Sequence, residues 1–238
     1  MSKAFIYEQK SILKTARFWV DATKESSIGA PANNDPLNLW SDISGSGINA
    51  DQVSIPNQPT YVTSGISGLP SVAFSGANQF FDLPDDTIPS GNSDYTIFVV
   101  SQAADLANGV LLTSGLNADN EANVFTYLGG SDGFRNYWWN NDVTVGSVIT
   151  PTSPNVLTFK YENNTSPDRN LYANGVLVKT NTSATDRNSS VLNNRIGIDN
   201  NLFNPLNGMI GEIIIFDRAL SDSQRAAIDS YLTNKWST

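Results

Sequence analysis

The stretch Leu171-Tyr172-Ala173-Asn174-Gly175-Val176-Leu177-Val178 decides the fold class. Two short runs of apolar and aromatic residues flank an Asn-Gly pair. A two-residue hairpin loop of type I′ needs positive φ at both central positions, which glycine adopts freely and asparagine tolerates. The octet therefore predicts a β-hairpin. The same texture extends outward in both directions, with β-rich runs near 17–20, 72–75, 80–83, 95–101, 110–113, 123–128, 135–139, 143–149, 156–161, 195–198 and 209–216. Clusters of Asn, Gly, Ser, Asp and Pro separate them. Many short strands with regular turn signals predict an all-β sandwich or barrel.

One segment reads as a helix. Ser221 and Gln224 have capping-box spacing, and Ile228, Tyr231, Leu232 and Lys235/Trp236 recur at helical intervals. Asp222 in the first turn and Lys235 in the last suit the helix dipole. This short C-terminal helix is expected to lay one stripe on the sandwich edge. Residues 1–14 read as an N-terminal arm or an edge strand, and 15–238 as one domain, because no fixed-period repeat, linker or charge block divides it.

Composition narrows the chemistry. The 238 residues include no histidine and no cysteine, and 14 Lys+Arg stand against 23 Asp+Glu for a net charge of −9. Catalysis by Ser–His–Asp or Cys–His is excluded, as are disulfides and thiolate metal sites. Any metal should be a hard ion held by oxygens, such as calcium. The acidic balance argues against a nucleic-acid or anionic membrane partner. Charged residues are 16 % of the chain, against about 25 % in ordinary globular domains. Solubility rests instead on 28 Asn and 27 Ser, a composition common in extracellular β proteins and phage surface proteins. The first ten residues do not read as a signal peptide, and no apolar run is long enough for membrane insertion.

Several segments together carry a family resemblance. They are Trp19-Val20-Asp21-Ala22, then Leu39-Trp40-Ser41-Asp42-Ile43-Ser44-Gly45-Ser46-Gly47, then Gln58-Pro59-Thr60-Tyr61 and Gly68-Leu69-Pro70-Ser71-Val72-Ala73-Phe74-Ser75-Gly76. The last is Ile210-Gly211-Glu212-Ile213-Ile214-Ile215-Phe216-Asp217-Arg218-Ala219-Leu220-Ser221. Nearly the whole chain from Ala16 to Trp236 resembles the concanavalin A-like lectin/glucanase superfamily, in its laminin-G-like jelly-roll branch. The resemblance implies a two-sheet antiparallel jelly-roll sandwich whose concave sheet often carries the ligand. Trp19 and Trp40 read as packing residues, and Asp42 with Ser44 and Gly45 as a loop hydrogen-bond hub. Glu212, in an apolar strand, reads as a bulge residue facing solvent or as a partner of Arg218.

The glucanases of this superfamily place their carboxylates on one strand in an E-x-D-x-E-like pattern, which alternation puts on one face. No such run occurs here; the nearest acidic alternation is Asp119-Asn120-Glu121. The chain therefore reads as non-catalytic, with a carboxylate-based glycoside hydrolase as the alternative. Its strongest binding feature is Phe134-Arg135-Asn136-Tyr137-Trp138-Trp139-Asn140-Asn141-Asp142. In a strand, Arg135, Tyr137 and Trp139 share one face, and Trp138 and Asn140 the other. Aromatic plates suit the C–H faces of sugars, with Arg135 as donor and Asn141 and Asp142 as rim groups. Because laminin-G-like domains often hold one calcium, Asp119, Glu121 and Asp199 are its candidate ligands.

These features predict a surface recognition or adhesion module whose partner is a cell-surface glycan. The expected setting is a virion or extracellular surface after synthesis in a cytoplasm, as in a phage attachment component. The alternative without a sugar ligand is a structural virion protein, a capsid decoration or tail component whose partner is another virion protein; homo-oligomers are compatible with either. The Asn-x-Ser/Thr matches at Asn163, Asn181 and Asn188 read as chance in a chain so rich in these residues.

Overall fold

The computed structural model describes residues 9–105, 107, 109–164, 168–181 and 187–236. In chain order the elements begin with a helix α1 (9–13), β1 (Phe18–Asp21), α2 (Glu25–Ile28), β2 (Leu39–Trp40), β3 (Ala50–Asp51), β4 (Thr60–Val62) and β5 (Ser71–Ser75). Next come β6 (Phe81–Asp82), β7 (Tyr95–Ala103), β8 (Val110–Gly115), β9 (Ala122–Leu128), β10 (Gly133–Tyr137) and β11 (Asp142–Val145). The chain closes with β12 (Asn155–Glu162), β13 (Asp168–Ala173), β14 (Val176–Asn181), β15 (Arg195–Ile196), β16 (Asn207–Phe216) and α3 (Asp222–Trp236).

The strands form two eight-stranded antiparallel sheets. The first runs β14-β13-β12-β7-β16-β5-β4, with β1 also on β16. The second runs β11-β10-β9-β8-β15-β6-β3-β2. This is the two-layer jelly-roll sandwich. The β13–β14 hairpin turns on Asn174 (φ 50°) and Gly175 (φ 82°), as the Asn-Gly pair requires. Between the sheets lies a core that includes Trp40, Phe81, Phe125, Phe134, Trp138, Phe159 and Ile213.

The central strands β7 and β16 of the first sheet are buried on both faces. Ile97, Val99, Ile213 and Ile215 point into the sandwich, while Phe98, Val100, Ile214 and Phe216 point outward into a second apolar cluster with Ile228, Leu232 and Trp236 of α3. A sheet whose alternate residues are apolar on both sides needs a cover on each. The C-terminal helix is that cover, so it lies on the outer face of the sheet and not along its edge. The segment read as an arm or edge strand also differs, since 9–13 are helical and Ile12 and Leu13 fill the same outer cluster. Gln9 Nε2 donates to the Ala227 carbonyl at 2.9 Å. Residues 1–8 lie outside the described residues.

The start of α3 is the capping box that its spacing predicts. Gln224 N donates to Ser221 Oγ at 3.3 Å, and Ser221 N donates to Gln224 Oε1 at 3.2 Å. Replacing Ser221 with alanine should cost about 1 kcal/mol of stability in urea unfolding; no change would show that packing alone sets the helix start.

Asp42 is the expected loop hub, its carboxylate accepting from the backbone N–H groups of Trp19, Ser44, Gly45, Ser46 and Gly47. Glu212 departs from both of its expected roles. The bulge between Ile210 and Glu212 is present, but the side chain is buried and Arg218 bonds Thr15 instead. Glu212 Oε1 accepts from Trp19 Nε1 (2.8 Å) and Tyr231 Oη (3.0 Å). Its Oε2 accepts from Lys235 Nζ (2.8 Å) and Trp236 Nε1 (2.8 Å). Lys235 Nζ also reaches Asp21 Oδ2 at 2.7 Å. The approach depends on Gly211, where a Cβ would stand 2.5 Å from the Trp236 ring.

Candidate functional site

Strand β10 builds the site by alternation. Phe134 and Asn136 point into the sandwich, Phe134 edge-on to Phe159 at 5.6 Å and Asn136 donating to Asn123 Oδ1 at 2.8 Å. Arg135 and Tyr137 point the other way, where Tyr137 packs with Val110, Ala122 and Val124 on the outer face of the second sheet. The strand ends at Tyr137. Trp138 still points inward and is fully buried, with Tyr161 at 5.0 Å and the Arg169 guanidinium 3.8 Å from its ring.

Two consecutive residues then take left-handed backbone, Trp139 (φ 58°) and Asn140 (φ 60°). This reverses the chain so that Asp142 opens β11 opposite Tyr137. A bulky residue in that region stores strain of order 1–3 kcal/mol and persists only where its surroundings hold it. Three contacts do so: Asn120 N donates to the Trp139 carbonyl (3.2 Å), Asn140 Nδ2 to Asp119 Oδ1 (2.7 Å) and Arg169 Nη2 to the Asn141 carbonyl (2.7 Å). Trp139 is left 39 % exposed, its ring tilted against Tyr137 at 6.3 Å.

The loop between β15 and β16 supplies the second wall. The Asp199 carboxylate organises it, accepting from Asn201 N (2.9 Å), Phe203 N (2.7 Å) and Asn204 Nδ2 (2.9 Å). The loop presents Phe203 with 66 % of its surface in solvent. Together the two segments enclose a cleft of about 600 Å³ lined by Arg135, Tyr137, Trp139, Asn140, Asp142, Asp199 and Phe203, with Asn117, Asn201 and Asn204. The Arg135 guanidinium lies over the Tyr137 ring at 4.8 Å, and its buried Nε has no hydrogen-bond partner. Asn117 Oδ1 is likewise buried without one. Burial pushes the Tyr137 hydroxyl up to about 12, and the nearby Asp199 charge adds to it.

Of the residues read as a ligand face, Arg135, Tyr137, Trp139 and Asp142 line this cleft together. Asn141 does not line it; its carbonyl is the anchor for buried Arg169. Asn140, expected on the opposite face, comes to the cleft because the left-handed pair breaks the alternation. Phe203 and its asparagine neighbours were not foreseen. Their signal was an apolar Leu202-Phe203 pair inside the polar run Asp199-Asn200-Asn201 and Asn204. The three carboxylates offered as calcium ligands do not gather: Asp119 holds Asn140, Asp199 holds its own loop, and among the described residues no three acidic side chains are placed to hold a metal.

Comparison with known proteins agrees with the architecture. A family model described as "Concanavalin A-like lectin/glucanases superfamily", of laminin-G type, matches residues 75–224. Domain 4 of AbnA, an extracellular arabinanase from Geobacillus stearothermophilus solved with arabinotriose, superposes with a TM-score of 0.63 at 16 % identity, covering 90 % of this chain and 98 % of that one. The receptor-binding domain of botulinum neurotoxin type G gives a TM-score of 0.63 at 14 % identity, over 91 % of this chain and 51 % of that one, so this chain spans about half its length. The CBM40 domain of the Ruminococcus gnavus IT-sialidase, bound to α2,3-sialyllactose, gives 0.50 at 18 % identity over 58 % of this chain and 83 % of that one. No curated protein matches the chain in sequence.

Proposed function

We propose that this chain, which belongs to the concanavalin A-like lectin/glucanases superfamily, is a non-catalytic module that binds an oligosaccharide in the cleft of Arg135, Tyr137, Trp139 and Phe203. The carrying observation is the pairing of two exposed aromatic residues with a guanidinium in one cleft. Exposed rings held by a strained turn and a carboxylate-braced loop are pre-organised plates for the apolar faces of sugars. Arg135 and the Asn and Asp groups around it supply the donors and acceptors that sugar hydroxyls need. Neighbours of the same fold solved with arabinotriose and with sialyllactose support the reading.

A hydrolytic reading would call on Asp142 and Asp199, which line one cleft. Both members of such a pair must be free to act, one giving a proton to the leaving group and the other serving as nucleophile or base. Asp199 instead accepts three hydrogen bonds from its own loop. Reducing-sugar release from oligosaccharides that bind is therefore expected to stay at background.

The test is titration calorimetry on oligosaccharides selected from a glycan array. Trp139→Ala should weaken the best ligand by about thirtyfold or more, as loss of an aromatic anchor does. Its unfolding free energy should stay within about 1 kcal/mol of wild type, because the ring is largely outside the core. Unchanged affinity, or an array with no ligand, would overturn the proposal.

A further inference from the structure

The charges around the cleft are unbalanced. Arg135 is its single cationic lining residue, while Asp142 and Asp199 both line it. A third carboxylate, Asp119, braces Asn140 at the rim. The cleft lining thus sets two carboxylates against one guanidinium, in a chain that carries −9 as a whole.

We propose that the cleft selects neutral oligosaccharides and rejects carboxylated ones, an inference that rests on its reading as a glycan site. A carboxylate drawn to Arg135 would sit beside Asp142 and Asp199 in a partly desolvated space, where like charges repel far more strongly than in water. It would also set acceptor against acceptor, because ionised Asp side chains can only accept. Neutral hydroxyls meet both needs. They donate to the Asp oxygens and accept from the Arg135 guanidinium that lines the cleft. The guanidinium then acts as a fork for hydroxyl oxygens and not as an anion receptor.

The experiment is an array at low ionic strength that pairs neutral oligosaccharides with carboxylated counterparts, including lactose with α2,3-sialyllactose and galactotriose with trigalacturonic acid. Wild type, Trp139→Ala and Asp142→Asn are compared. The ligands are expected to be neutral, with carboxylated counterparts at least about tenfold weaker and the ratio narrowing in salt and in Asp142→Asn. Carboxylated glycans that bind as well as neutral ones, and are lost in Trp139→Ala, would overturn the selection and leave the glycan site standing. No binding to either class would overturn both.

Discussion

Replacing Glu212 with alanine is expected to destabilise the protein by about 3–5 kcal/mol, the usual cost of removing one member of a buried, hydrogen-bonded ion pair. The side chain is 1 % exposed and accepts from four donors. Lys235 would keep Asp21 as a partner, but the Trp19 and Trp236 indoles and the Tyr231 hydroxyl would lose their acceptor within an apolar shell. Urea unfolding measures the cost; a loss below about 1 kcal/mol would show that water or neighbouring groups replace the carboxylate.

The same residue makes a prediction about pH. Burial raises the Glu212 carboxyl above its ordinary value, and the adjacent Asp21 charge raises it further. The folded state therefore holds this proton more tightly than the unfolded state does. The resulting contribution to stability is fullest below the unfolded value and is lost as pH rises through the raised folded value. Relative to Glu212→Gln, wild type should gain stability as pH falls from neutral towards the ordinary carboxylate range. Comparing the two proteins cancels the titration of the acids remote from Glu212. A flat difference, or one of opposite slope, would remove the argument.

Trp138→Ala should be as damaging, at about 3–5 kcal/mol. The indole is fully buried between Tyr161 and Arg169 and donates to Asn123 Oδ1 at 3.1 Å. Its face covers a guanidinium that is itself 1 % exposed and has two nitrogens without partners. Truncation leaves that charge against a void, losing packing and the cation–π contact together. Because Arg169 also holds the Asn141 carbonyl, glycan affinity should fall with stability. Trp139→Ala should show the reverse pattern, with affinity lost and stability kept. If the two adjacent tryptophans gave the same pattern, the division between a core residue and a ligand plate would fail. Trp138→Phe, which keeps an aromatic face without the Asn123 bond, should recover most of the stability.

These adjacent tryptophans show where the sequence is sufficient and where it is not. Alternation along β10 is a property of extended backbone, so the opposed faces of Phe134 and Arg135, and of Asn136 and Tyr137, are legible without any partner strand. The period fails at Trp139, where two left-handed residues turn the chain and bring Asn140 to the cleft. Nothing local to Trp139 prescribes that conformation; Asn120, Asp119 and Arg169 hold it from other parts of the chain. Phe203 joins the cleft for a similar reason, since β15 is carried beside β8 only by the second sheet.

The sequence by itself determined the elements whose causes are local: the Asn174-Gly175 hairpin, the Ser221 cap, the strand runs and the all-β class. It also ruled out histidine and cysteine chemistry by composition alone. Tertiary structure decided which buried groups became partners. Glu212 meets Lys235 and Trp236 because a sheet apolar on both faces draws α3 across it. Asp199 braces a cleft wall because its loop supplies three donors to its carboxylate. Backbone preference acts within a few residues and can be read along the chain, whereas the pairing of buried polar groups is set by which surfaces must exclude water together.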